Sequence, residues 1–209
     1  MNDPKETAEA LLDRILAVPR AGKRRLIALV GQPASGKSTL SNILAELMTE
    51  AGCRTSVVPM DGFHLDNQIL ISQGLLPRKG APETFDVDGL FRLIKTLRSA
   101  DTVFFPVFDR ERDISIAGAG MLSDDCDSVI VEGNYLLLDA PGWRDLKDCW
   151  DLSVQLDVPI PILRERLVDR WLAYGLTLNQ AITRAEGNDL RNAELIAAHS
   201  LSADVIITA

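Results

Sequence analysis

Residues 31–39 read Gly-Gln-Pro-Ala-Ser-Gly-Lys-Ser-Thr and follow directly on the apolar run Leu26 to Val30. The spacing is G-x-x-x-x-G-K-[ST], set between a strand-like segment and a helix-like one. A strand that runs into a glycine-bounded loop and opens into a helix aims several backbone N–H groups at one spot. The positive end of the helix dipole points there too. Polyphosphate is what such a spot binds. Gly31 and Gly36 admit backbone conformations that a Cβ hinders, Lys37 reaches the β and γ phosphates, and the Ser38 hydroxyl is placed to ligand Mg²⁺. Ala34, Ser35 and Thr39 complete the predicted nucleotide-binding set of this loop.

The rest of the chain is read against that constraint. Its 209 residues, 46% hydrophobic and 25% charged, predict one globular domain over residues 1–209 with a sizeable core. A formal charge of −8 argues against a general nucleic-acid binder, which needs a basic face. Cys53, Cys126 and Cys149 are scattered, without a C-x-x-C, and read as inert thiols in a reducing compartment. With His64 and His199 as the two histidines, a zinc site of Cys and His is not expected. No apolar stretch approaches the roughly 18 residues that span a bilayer, and Asn2, Asp3 and Glu6 do not read as a secretion signal. The expectation is a cytoplasmic protein with no membrane partner.

Asp3-Pro4-Lys5-Glu6 supplies an N-cap, a first-turn proline and an acidic partner, and Leu11, Leu12, Ile15 and Leu16 recur at helical spacing. They predict a core-packing helix over 4–18. After the loop, Leu40, Ile43, Leu44, Leu47 and Met48 form one helical face that stops at Gly52. Short β-rich runs follow: Thr55 to Met60 before Asp61, Ser128 to Val131 before Glu132, Leu152 to Leu156 before Asp157, and Val205 to Thr208. Strands alternating with helices imply a parallel sheet covered on both faces, with ligands at the carboxyl ends of its strands. The loop, Asp61 and Glu132 all fall there. Residues 62–127 exceed one crossover. They carry a helix with Leu90, Phe91, Ile94 and Leu97 on one face, an irregular Pro77 to Asp86 loop and an extended Thr102 to Phe108 segment. They read as an insertion covering the site.

Nucleotide binding alone fits kinases, switches and transport or remodelling ATPases. The chain has no N-K-x-D for guanine, no L-S-G-G-Q, and no room for a remodelling ATPase's extra domain. A small-molecule kinase survives this elimination. Beside the loop stand Met60-Asp61-Gly62-Phe63-His64, Phe85-Asp86, Pro106-Val107-Phe108-Asp109, Val131-Glu132-Gly133 and Ala203-Asp204-Val205-Ile206-Ile207. This set resembles the P-loop kinase superfamily of uridine kinase, phosphoribulokinase and type I bacterial pantothenate kinase, over roughly residues 25 to 208. Arg78 to Asp86 and Glu186 to Asp189 resemble a bacterial branch labelled nucleoside kinase-like, nucleotide kinase-like or fructokinase. The resemblance implies a three-layer α/β/α P-loop NTPase fold with a five-stranded parallel sheet in 2-3-1-4-5 order and a helical lid over about 163–192.

The resemblance casts Asp61 as base, and a carboxylate at a strand end near the γ-phosphate can orient the acceptor hydroxyl and take its proton. Glu132 fits a carboxylate touching Mg²⁺ directly or through water; a salt bridge to Lys37 or a second base fits its position equally. Ser38 and Glu132 are thus the predicted metal residues. Arg166 and Arg170, four apart on one predicted helix face, match lid arginines that neutralise transferring charge. With Glu165 and Asp169 they also fit a solvated charge ladder. The catalytic set is Lys37, Asp61, Glu132, Arg166 and Arg170.

Acceptor candidates come from the insertion: His64, Arg78, Asp86, Phe108, Asp109 and Arg112 as the predicted substrate-binding set, with Lys79, Glu83 and Arg110 beside them. Asp86 matches a ribose-contacting aspartate of uridine kinases, and Phe108-Asp109 stands in for their aromatic–acid pair. Arg110-Glu111-Arg112-Asp113 departs from their T-H-S-R, which favours a sugar or another small alcohol over a nucleoside. Phe63, Phe85, Phe104, Phe105, Trp143, Trp150 and Trp171 read as core. The expected activity is ATP- and Mg²⁺-dependent phosphorylation of a sugar hydroxyl, fructokinase-like. The alternatives are a nucleoside or pantothenate-like acceptor on the same fold and, from another class, a nucleotide-binding regulatory NTPase. The expected partner is a small hydroxyl acceptor, with homodimer formation left open.

Overall fold

The computed structural model describes residues 3–208, so residues 1, 2 and 209 of the expected domain lie outside the described residues. The strands are β1 (Arg25–Gly31), β2 (Thr55–Pro59), β3 (Val103–Asp109), β4 (Ile114–Leu122), β5 (Ser128–Gly133), β6 (Leu152–Asp157) and β7 (Val205–Thr208). The α-helices are α1 (Pro4–Leu16), α2 (Lys37–Glu50), α3 (Asn67–Ser72), α4 (Val87–Leu97), α5 (Ile160–Ala173), α6 (Leu178–Arg184) and α7 (Leu190–His199). Helix α1 stops two residues short of the expected end. Asp3 caps it by accepting from the Lys5 N–H at 2.9 Å.

Five strands form one sheet in the order β2-β5-β1-β6-β7, every pair parallel. Counted among its own strands, the order is 2-3-1-4-5. Strand β1 lies at the centre and is buried along its whole length, because apolar residues alternate onto two covered faces. Leu26, Ala28 and Val30 join Val58, Val129 and Val131 on the face packed by Leu90, Ile94 and Leu97 of α4. Ile27 and Leu29 join Ile130 and Val154 on the other, under Leu11 and Ile15 of α1 and Leu40 and Leu44 of α2. Leu163 and Leu167 of α5, Ala181 of α6 and Ala193 of α7 close a separate apolar cluster that forms the lid.

The insertion holds an element the sequence reading lacks. Strand β4 pairs with β3 as an antiparallel hairpin apart from the main sheet. Its Ala-Gly-Ala-Gly run has low strand propensity, yet Gly120 is required: a Cβ there would stand 2.3 Å from the Phe105 ring. The hairpin packs on the turn Met60–Phe63, and a Cβ at Gly62 would meet the Pro106 carbonyl oxygen at 2.1 Å. Phe63, Phe85, Phe105 and Trp143 are core as expected, but Phe104 is 63% exposed. It lies across from the exposed Met121 on the outer face of the hairpin. The three cysteines are free and buried. Among the described residues no helix is long and apolar enough to cross a membrane.

Candidate active site

The phosphate loop leaves β1 and enters α2 with the geometry its residues dictate. A Cβ at Gly31 would stand 2.5 Å from the Ser35 hydroxyl oxygen, and Gly36 has φ +96°. Ala34 also takes a positive φ of 64°, a conformation disfavoured for a residue with a Cβ. No side chain caps the N-terminus of α2, so its N–H groups remain available to an anion. Burial lowers the Lys37 pKa, against the opposing pull of the Glu132 and Asp61 carboxylates.

Strand β5 delivers Glu132 beside Ser38. Its Oε1 accepts from the Ser38 hydroxyl at 3.1 Å, while Oε2 is buried without a hydrogen-bond partner. The side chain is 7% exposed, and burial pushes its pKa up. A buried carboxylate oxygen with no donor, next to a hydroxyl, is the donor set a hard divalent cation takes. Ser38 and Glu132 therefore fit Mg²⁺.

Asp61 sits in the turn after β2. Its carbonyl accepts from the His64 backbone N–H at 3.2 Å and from His64 Nδ1 at 2.7 Å. Its Oδ2 takes Arg110 Nη2 at 2.7 Å. Because a carbonyl only accepts, His64 carries its proton on Nδ1. Nε2 of the neutral ring is then the free acceptor. Burial lowers the His64 pKa, which favours that neutral form. The ring lies 4.1 Å from Phe85 and 4.5 Å from Phe108, centroid to centroid.

A cavity of about 580 Å³ runs from Lys37 and Ser38 past Asp61 to His64, Asn67, Lys79, Phe108, Arg110 and Asn134. The lid closes it with Arg170, Trp171, Arg184, Asp189 and Asn192. Lys79 Nζ is held by Asn67 Oδ1 at 2.7 Å and Asp113 Oδ2 at 2.9 Å. A smaller space of about 250 Å³ lies between the loop and Arg166 and Arg170. A third, about 330 Å³, lies behind Asp61 and reaches Glu132. Arg166 donates to the Ala34 and Ser35 carbonyls at 3.2 and 3.4 Å, so it braces the loop and is no mere surface charge.

The predicted donor residues thus converge, and the predicted acceptor residues divide. His64 and Phe108 line the cavity. Asp86 instead caps α4, accepting from the Gly89 N–H at 2.8 Å, and is exposed. Asp109 and Arg112 pair with each other at 2.7 Å in the hairpin turn. Arg78 turns to the lid, with Nη1 2.6 Å from Asn188 Oδ1 and Nη2 3.1 Å from Asn192 Oδ1. The cavity takes Lys79 and Arg110 in their place, and Asn67, Asn134, Arg184 and Asp189, which the sequence reading missed. Asn134, two residues past Glu132 at a strand end, carried a usable signal. Trp171, read as core, also lines the cavity: its Nε1 donates to Asp189 Oδ2 at 2.8 Å, and Arg184 lies 5.1 Å from its ring.

Comparison with known proteins agrees with this geometry. The family model for the methylmalonyl Co-A mutase-associated GTPase MeaB matches residues 1–64, the part that carries the phosphate loop. The "Uncharacterized protein YggC" of Escherichia coli K12 is 36% identical over 187 residues, spanning 88% of this chain and 78% of that protein. The "Putative uridine kinase C227.14" of Schizosaccharomyces pombe is 31% identical over 214 residues, spanning 95% and 89%. A crystal structure from Silicibacter sp. TM1040, described as a "putative fructose transport system kinase", superposes with a TM-score of 0.92 at 52% identity, covering 99% of this chain and all of the other. With these identities extending over nearly the whole chain, the chain belongs to the uridine kinase-like P-loop kinases, which are ATP-using phosphotransferases.

Proposed function

We propose that the chain transfers the γ-phosphate of ATP to a hydroxyl of a neutral sugar of the fructose type. The observation that carries this reading is one cavity lined by Lys37, Ser38 and Asp61 together with the polar groups of His64, Lys79, Arg110 and Asn134. As the acceptor oxygen attacks the γ-phosphorus, the bond to the β-phosphate oxygen breaks, ADP leaves, and the hydroxyl proton passes to Asp61. Arg166 and Arg170 face the phosphate side and offset the charge spread over the transferring group. Mg²⁺ held by Ser38 and Glu132 would supply further neutralisation of the phosphate oxygens.

Two features favour a sugar. The chamber pairs its charges internally, Lys79 with Asp113 and Arg110 with Asp61, and presents the Asn134 amide, whose buried Oδ1 has no hydrogen-bond partner, together with His64, while the amides of Asn67 and Asn192 are engaged within the protein. Such a wall suits hydroxyls, each of which needs a partner when buried. Phe85 and Phe108 already have partners within the protein, His64 against both rings and Lys79 Nζ 5.1 Å from the Phe108 centroid, which disfavours their use as a stacking platform for a nucleobase. The name of the Silicibacter kinase points to the same class. The test is ADP release measured with fructose, other sugars, nucleosides and pantothenate, with Lys37→Ala as control. Sugar-dependent ADP release that the control lacks is the expected result. Stimulation by nucleosides or pantothenate alone, or by no acceptor, would overturn the assignment.

A further inference from the structure

The two segments that mark the bacterial branch, 78–86 and 186–189, lie far apart in sequence and meet in space. Arg78 reaches from the insertion into the lid and bonds the side-chain oxygens of both Asn188 and Asn192. The amides return the contact: Asn188 Nδ2 donates to the Lys79 carbonyl at 2.8 Å and Asn192 Nδ2 to the Gly80 carbonyl at 3.3 Å. Tyr135 at the end of β5 adds a third grip, its hydroxyl 2.6 Å from the same Gly80 carbonyl. Asn188 is 3% exposed and Asn192 1%. Both amides are used on both ends, while the Arg78 side chain between them keeps 31% exposure and also faces Glu83 at 3.5 Å.

The local backbone is shaped for this contact. Gly80 has φ +98°, which turns the strap of residues 78–80 so that successive carbonyls face the lid. On the lid side, Ala185–Asp189 is a π-helical turn between α6 and α7, and such turns collect at functional positions. It places Asn188 and Asn192, four apart, on one side. The same lid reaches the donor side through Arg166 and Arg170 of α5. Arg164 ties α5 to the π-helical turn through Glu186 at 2.7 Å, and one apolar cluster joins α5, α6 and α7. The lid thus touches the phosphate loop at one end and the strap at the other.

We propose that Arg78, Asn188 and Asn192 form a clasp through which the lid, on settling over the nucleotide phosphates, draws the 78–80 strap into place and sets Lys79 in the acceptor chamber. They are positioning residues acting through Lys79. A polar seam suits this task, since its hydrogen bonds exchange for water at little net cost, whereas an apolar seam would hold the lid shut. The proposal rests on the chamber beside Asp61 being the acceptor site.

Amide hydrogen exchange with and without a non-hydrolysable ATP analogue and Mg²⁺ tests the coupling without an acceptor. In the wild-type protein the analogue is expected to slow exchange in the lid at 185–192 and in the strap at 78–84. In Arg78→Ala and Asn188→Ala the lid should still respond and the strap should not. With fructose as acceptor, either variant should raise the acceptor KM by about tenfold and leave the ATP KM within about twofold. The double variant should be no worse than the singles, because both act on one contact. Arg78→Lys, which keeps the charge but not the two-pronged geometry, should fall between and guards against a folding defect. A strap that ignores the analogue in the wild type, or that responds equally in the variants, would overturn the clasp. If the exchange pattern holds but no sugar is phosphorylated, the clasp stands and the acceptor assignment fails.

Discussion

The donor and acceptor halves of this site are built by different means. The donor half is centred on one unbroken stretch, residues 31–39, where backbone N–H groups at the start of α2 have no side-chain cap. Gly31 and Gly36 shape it, the start of α2 supplies the field, and Lys37 adds the charge. The acceptor half is assembled from separate places: the turn after β2, the start of α3, the strap, the hairpin tip, the end of β5 and the lid. The lid alone contributes Arg170, Trp171, Arg184, Asp189 and Asn192, and the lining side chains hold one another, as Asn67 and Asp113 hold Lys79. A backbone site is fixed by local sequence, whereas an assembled site depends on tertiary contacts that can also be regulated or retuned.

The contrast breaks most readily at the lid. Arg170 borders both the large cavity and the phosphate space. Arg170→Ala should lower kcat by about 10²-fold with little change in the melting temperature. Arg166→Ala should combine a similar loss with weaker nucleotide binding, because Arg166 also holds the loop carbonyls. Unchanged kcat in both would reduce these arginines to surface charges.

The next effect is in stability. Burial raises the Glu132 pKa in the metal-free protein, so the folded state holds a proton there more readily than the unfolded chain. That contribution is fully present below the ordinary carboxylate range, about pH 4, and is lost as pH rises through the folded value. Glu132→Gln removes the charge and should raise the melting temperature at pH 8 by about 2–4 °C. The gain should vanish in acid. A variant that melts lower at pH 8 would show that the carboxylate, even without metal, is well paired.

The smallest effect belongs to Arg112, exposed and paired with Asp109 in its own turn. Arg112→Ala should leave the acceptor KM within about twofold, as exposed pairs are worth little. A large rise in acceptor KM would restore it to the substrate-binding set.

What the sequence made legible follows the same division. The sheet, its ligand edge, Asp61 and Glu132 were readable because strand ends in a parallel sheet are places of known consequence. Strand β4 was not, since Ala-Gly-Ala-Gly has low strand propensity and the fit of Gly120 against the Phe105 ring is a tertiary contact. Asp86 reads as a substrate contact, yet an aspartate before Val-Asp-Gly at a helix start is an N-cap, and that is its place in the structure. Arg78 also reads as a substrate contact, but its direction depends on Asn188 and Asn192, more than a hundred residues away. Arg184 and Asp189 enter the cavity through the lid's packing around Trp171, which no periodicity records.

The meeting of the two halves at Asp61 is tested most directly by Asp61→Asn. Nucleotide affinity, measured by titration with the ATP analogue and Mg²⁺, should stay within about threefold of wild type, while acceptor-dependent ADP release falls by about 10²- to 10⁴-fold. Retention of wild-type turnover, or loss of nucleotide binding in step with turnover, would contradict a base placed between donor and acceptor.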